Sequence, residues 1–295
     1  MSHSPNLLRH ALPTIPRAHP DRGAGRPSAQ TLTVLAHPAN TTRERARIAA
    51  VAFALAIAVA IAVAVTLAAL AALCRTHGAR LLLDPSVVSV FTVDVLAHTD
   101  VVVSSLTKYT GSAGDLTAGL IAVNPARPDA EALLQSARSY IDAPYAADTI
   151  ALAQQIVKLP AVTARLSQQA TELAQRLAQH PAVSRVRTAL TTSTAKNYQA
   201  MLRPGAGPGA LITLELKADL RTVYDRLQVV KGPSFGLEFT LATPFLWLAH
   251  FSEVTTPEGR EGLRRAGLDP DLLRVSVGLE PIEEIWSAFA AALKK

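Results

Sequence analysis

The chain has 295 residues, 49% hydrophobic and 18% charged, which is enough apolar content for about two domains with a sizeable core. Its formal charge of +6 invites a nucleic-acid reading, but seven of its arginines fall in the first 50 residues. With no zinc-finger spacing and no basic stripe interleaved with aromatics, neither a nucleic-acid partner nor a metal site is expected. The single cysteine, Cys74, excludes an internal disulfide framework and is compatible with a reducing compartment.

Residues 1–46 form a Pro/Arg-rich tail with Pro5, Pro13, Pro16, Pro20, Pro27 and Pro38 among scattered Ser, Arg and Gly, a composition that reads as disordered. An alanine-rich apolar segment follows at residues 47–66. From Ile48 to Cys74 no charge occurs across 27 residues, and length alone makes this run a transmembrane candidate. The flanking arginines would then place the N-terminus in the cytoplasm. Against a span stands the alternation of alanine with Phe53, Leu55, Ile57, Val59, Ile61 and Val63, a low-complexity period of two. A cytoplasmic location is therefore expected, with membrane attachment through residues 48–74 as the alternative.

The end of the run, Leu67 to Cys74, has helical apolar spacing and a glycine stop at Gly78. Ala79 to Asp84 reads as a short buried strand ending in an acid. Taken singly, Asp84 is a helix cap more readily than a site residue. Val101-Val102-Val103 is a β-branched run of the kind that forms a buried parallel strand. It leads through Ser104, Ser105 and Thr107 to Lys108 and Tyr109, then to a turn punctuated by Gly111 and Gly114. In isolation such a lysine usually starts a surface loop, yet open α/β sheets bind ligands just past strand ends. Asp84 and Lys108 are 24 residues apart, one crossover, so both strands would end at the same edge of a parallel sheet.

Thr117–Val123 reads as the next strand, and Pro128–Ile141 as a helix. Ala147–Leu159 and Ala161–Gln179 are amphipathic helices interrupted at Pro160. A Gly205–Gly209 loop, a strand at Ala210–Leu216 and a helix from Asp219 to Val229 follow. Leu273–Glu280 reads as a closing strand and Pro281–Ala292 as a final amphipathic helix.

Four motifs in this series resemble the pyridoxal-phosphate-dependent enzymes of Cys/Met metabolism, the trans-sulfuration or cystathionine synthase/lyase family. Ser105-Leu106-Thr107-Lys108-Tyr109 with Gly114-Asp115 is similar to its Schiff-base segment. Asp84-Pro85-Ser86 is similar to its Asp-x-Thr, with serine in place of threonine. Ser234-Phe235-Gly236 resembles its Ser-Leu-Gly turn, and Arg274-Val275-Ser276-Val277-Gly278-Leu279-Glu280 its Arg-x-Ser-x-Gly-x-Glu strand. The resemblance covers about residues 67–295.

The resemblance implies an α/β fold: part of the fold-type-I large domain with its parallel sheet at residues 67–150, and a smaller C-terminal α/β domain at 151–295. It implies pyridoxal 5'-phosphate as cofactor and Lys108 as the Schiff-base lysine. Ser105 and Thr107 would help hold the phosphate, Asp84 would pair with the pyridine nitrogen, and Ser86 would keep a hydroxyl near the ring. Ser234 and Arg274 would bind the carboxylate of a small-molecule amino-acid substrate. The implied reaction is elimination or replacement at the β- or γ-carbon of cystathionine or an O-acylhomoserine, by a homo-oligomer. The family's phosphate loop, ring-stacking tyrosine and Tyr-x-Arg segment have no counterpart in this sequence. A catalytically incomplete remnant, acting as a structural or partner-binding chain, is thus the alternative expectation, and little turnover is expected of the polypeptide by itself.

Overall fold

A computed structural model describes residues 66–139 and 141–294, with the backbone of one further strand, β1, at Thr33–Leu35. Apart from that strand, the Pro/Arg-rich tail and the alanine-rich run at 47–65 lie outside the described residues. No helix among the described residues is long and apolar enough to cross a membrane.

The first sheet has the order β1-β4-β3-β2. Three of its strands grow from the apolar runs of the sequence: β2 is Leu82–Leu83, β3 is Val101–Ser105 and β4 is Gly119–Val123. β2 and β3 pair in parallel, as the one-crossover spacing requires, while β4 returns antiparallel to β3 and β1 antiparallel to β4. Helix α1, Leu67–Thr76, precedes β2 and starts where the Thr66 side chain accepts from the Ala69 N–H. It buries Leu67 and Ala71, one turn apart, and Leu67 packs with Leu83, Val93, Val95 and Val102.

Helix α2 (Ala130–Ser139) and α3 (Ala146–Ile156) follow β4. Helix α3 runs across the boundary expected at residue 150. Pro160 does not interrupt a helix: it occupies the first turn of α4, Leu159–Ala178, where its missing N–H has no intrahelical partner to lose.

The second sheet has the order β5-β6-β9-β8-β7, formed by Val183–Arg187, Leu211–Leu216, Leu273–Ser276, Leu241–Thr243 and Val230–Lys231. All its pairs are antiparallel except β7 with β8. Short helices α5 (Ala195–Gln199), α6 (Leu220–Arg226), α7 (Phe245–Ala249), α8 (Phe251–Val254) and α9 (Pro257–Arg265) fill the connections, and α10 (Ile282–Ala292) ends the fold. The core lies between this sheet and α4, α6 and α10, where Leu173, Leu177, Ile212, Leu214, Leu273 and Phe289 are fully buried. Full burial of one such side chain is worth about 1.5–3 kcal/mol, so this layer is the main source of stability in the C-terminal part.

Between the two sheets, Tyr109 packs with Leu159, Val162, Leu166 and Ala210, flanked by Phe91, Phe235 and Leu279. The residue after Lys108 is thus part of the seam.

Candidate active site

Strand β3 alternates, with Val102 and Ser104 inward, and ends at Ser105. The chain then turns, with the Leu106 and Thr107 N–H groups both donating to the Ala118 carbonyl, at 2.8 and 3.2 Å. This turn puts Lys108 just past the strand end. Its Nζ donates to Ser234 Oγ at 3.0 Å and lies 5.5 Å from the centre of the Phe235 ring. The amine is half-buried and no carboxylate pairs with it among the described residues. Burial, and secondly the nearby Arg274 cation, hold its pKa below the usual 10.5.

Arg274 comes from the middle strand of the second sheet, with Thr213 and Thr243 as its lateral neighbours. The strand alternates, so Leu273 and Val275 face the core and Arg274 the opposite side. Its guanidinium lies 4.3 Å from the centre of the Phe245 ring and 5.6 Å from that of Phe235. One N–H donates to the Pro233 carbonyl, and among the described residues no carboxylate pairs with it. Burial pushes its pKa down to about 10, which leaves it charged at neutral pH. Lys108, Ser234 and Arg274 therefore meet around the Phe235 ring, with no carboxylate paired to either basic side chain among the described residues.

Asp84 ends β2, at the same sheet edge. Its Oδ1 accepts from the Ser86 N–H at 2.8 Å and from the Ser86 hydroxyl, while Oδ2 has no partner among the described residues. Ser86 Oγ also accepts from the Ser105 N–H at 2.7 Å, which ties the ends of β2 and β3 together. The Ser86 hydroxyl proton is thus spent on fixing Asp84. Thr107 Oγ1 accepts from Ala118 N–H at 3.1 Å and approaches its carbonyl at 3.4 Å, so this hydroxyl clamps β4. The Ser105 hydroxyl has no protein partner among the described residues.

Pyridoxal phosphate needs an amine that loses its proton readily, an oriented carboxylate and hydroxyl donors. Lys108, Asp84 and Ser105 supply this set with their reactive atoms uncommitted to acid–base partners, so the residues fit the group. Two further members of the site carry no motif role of their own in the sequence. Phe235 stands inside the Ser-Phe-Gly turn, where its aromatic ring was the available signal. Phe245 follows Thr243-Pro244 with nothing local to mark it, because its stacking on Arg274 depends on how α7 returns to β9.

Residues 46–294 match the family described as Cys/Met metabolism PLP-dependent enzyme. An L-2-amino-4-chloropent-4-enoate dechlorinase/desaturase of Streptantibioticus cattleyicolor is 39% identical over 76% of this chain and 45% of its own length. A cystathionine gamma-synthase of Neurospora crassa is 31% identical over 77% of this chain and 36% of its own. The chain thus spans less than half the length of these curated relatives. Among solved structures, a cystathione gamma lyase from Micromonospora echinospora superposes with a TM-score of 0.68 at 23% identity, covering 78% of this chain and 60% of that one, which is a likeness of fold.

Proposed function

The chain belongs to the Cys/Met metabolism PLP-dependent enzymes, and from that premise we propose that it serves elimination or replacement at the β- or γ-carbon of a small α-amino acid. Cystathionine or an O-acylhomoserine is the proposed substrate class, in a cytoplasmic homo-oligomer. The relatives' printed names, a cystathionine gamma-synthase and a dechlorinase acting on a 4-chloro amino acid, both concern an amino acid altered beyond its α-carbon.

The observation that carries the reading is the pairing of Lys108 and Arg274 across Phe235. A guanidinium offers two parallel donors to a carboxylate, so Arg274 would seat the substrate's α-carboxylate and fix its orientation. Phe245 behind it limits the directions the guanidinium can face. The α-carbon would then lie toward Lys108, whose amine, made easier to deprotonate by burial, would take and return the α-proton. Ser234 accepts from that amine and so steadies its position. Asp84, oriented by Ser86, would hold a proton on the pyridine nitrogen, and Ser105 would donate to the phosphate. When bound, the cofactor supplies an electron sink for bond breaking at the substrate's α-carbon.

The test is to incubate the chain with pyridoxal phosphate, reduce with borohydride and map the labelled peptide. The label is expected on Lys108, and Lys108→Ala should abolish it while the fold persists, because Val102, Ser104 and Leu106 supply the local burial. A label fixed on a different lysine defeats the assignment.

A further inference from the structure

We propose that Tyr109 and Gly236 form a latch that fixes the Lys108 amine relative to the turn bearing Ser234 and the strand bearing Arg274, with Tyr109 as a positioning residue for the lysine. The consequence for catalysis rests on the reading of Lys108 above; the latch stands on its own geometry.

Tyr109 has φ 56°, one of only two non-glycine residues in the left-handed region among the described residues. That conformation costs roughly 1–2 kcal/mol for a residue with a side chain, and such strain persists only where the surroundings over-determine it. Here they do. The Tyr109 N–H donates to the Gly236 carbonyl at 3.0 Å. Its hydroxyl donates to the Val87 carbonyl at 2.9 Å and accepts from the Ala210 N–H at 3.2 Å. The ring is 1% exposed and meets Phe235 edge-on, with centroids 6.3 Å apart. Three separate segments therefore hold one residue: the loop after β2, the entry to β6 and the turn before β8.

Gly236 is the complementary half. Its φ is 68°, and a Cβ there would stand 2.8 Å from Cγ and Cδ2 of the Tyr109 ring and 2.9 Å from the Tyr109 nitrogen. Only glycine permits both the conformation and the approach. The Gly236 N–H in turn donates to Ser276 Oγ at 2.9 Å, two residues along β9 from Arg274. A continuous path thus runs from Lys108 through Tyr109, Gly236 and Ser276 to Arg274. One peptide bond separates Lys108 from the strained residue, so the direction in which the lysine side chain leaves the backbone follows from the latch. The 3.0 Å contact between Lys108 Nζ and Ser234 Oγ is its outcome.

A tyrosine that merely filled the seam would, on alteration, change stability and leave the lysine's titration alone. The two roles therefore separate by competitive trace acetylation of the full chain with acetic anhydride across pH, with Lys108 quantified by peptide mapping at temperatures well below each variant's melting point. Gly236→Ala, which drives a methyl into the ring, is expected to raise the Lys108 midpoint toward 10.5 as burial and the neighbouring Arg274 charge are lost. A rise of about one unit corresponds to about tenfold slower labelling below both midpoints. Tyr109→Phe keeps the ring but loses both hydroxyl bonds, and a smaller shift in the same direction is expected; it also serves if Gly236→Ala fails to fold. If folded variants lose stability while the Lys108 midpoint stays at its wild-type value, the latch is refuted. If the variants move the midpoint but borohydride fixes no cofactor on Lys108, the latch stands and the catalytic reading falls.

Discussion

Two causes lower the readiness of Lys108 to hold a proton, and they differ in size. Burial is the larger cause and the Arg274 charge the smaller. Replacing the cation by a neutral group, as in Arg274→Gln, removes a like charge and so raises the Lys108 pKa. The midpoint should nevertheless stay below 10.5, because burial remains. Acetylation of the variant across pH checks this, and a midpoint that falls instead would reverse the sign of the proposed coupling. Arg274→Lys keeps the charge but loses the two-point grip on a carboxylate. A charge-assisted bond is worth about 1.5–3 kcal/mol, so amino-acid affinity should drop from about tenfold to more than a hundredfold. Unaltered affinity in calorimetry would make Arg274 a structural residue. At this scale Lys108, Asp84, Ser234 and Arg274 were named as candidates through the motif resemblance, since each motif sets a residue type at a fixed offset. Phe245 was not, because a phenylalanine after proline on an apolar stretch looks like any core residue.

At the scale of elements, the ends of β2 and β3 are joined by one hydroxyl. Ser86→Ala would leave the half-buried Ser105 N–H without its acceptor and Asp84 with one donor fewer. The cost expected is about 1–3 kcal/mol, read as a lower denaturation midpoint, with Ser86→Thr retaining stability near that of the parent. Equal stability of Ser86→Ala and the parent would show that water replaces the hydroxyl there. The parallel pairing of β2 with β3 followed from the sequence, since two apolar runs one crossover apart can hardly pair otherwise. The antiparallel return of β4 did not, because the turn from Gly111 to Leu116 is set by packing: a Cβ at Gly111 would meet Leu116 at 2.9 Å. Strands as short as β7 and β8 carry too few residues for a period to show.

Across the whole molecule, both tryptophans, Trp247 and Trp286, lie in the C-terminal part, whereas Lys108 and Asp84 belong to the first sheet. The Tyr109 seam joins the two parts, so cofactor fixed near the first sheet should stabilise the second. At a hundred times its dissociation constant a ligand contributes about 2.7 kcal/mol. Saturating pyridoxal phosphate is therefore expected to raise the melting midpoint reported by tryptophan fluorescence. A midpoint that stays put while Lys108 carries the label would mean that the two sheets unfold independently.

Composition and apolar period determined by themselves the α/β class and the order of the main strands and helices, while the resemblance of four motifs to a known family pointed to the cofactor and to candidate site residues. These are local or short-range properties: a run of β-branched residues, a lysine past a strand end, an arginine on an alternating strand. Only the tertiary structure decided that Lys108 and Arg274 approach one aromatic ring, that Thr107 is committed to Ala118, and that a tyrosine in left-handed backbone locks to a glycine 127 residues away. Such contacts pair segments distant in the chain, and their geometry is set by how the sheets pack, which no spacing along the sequence encodes.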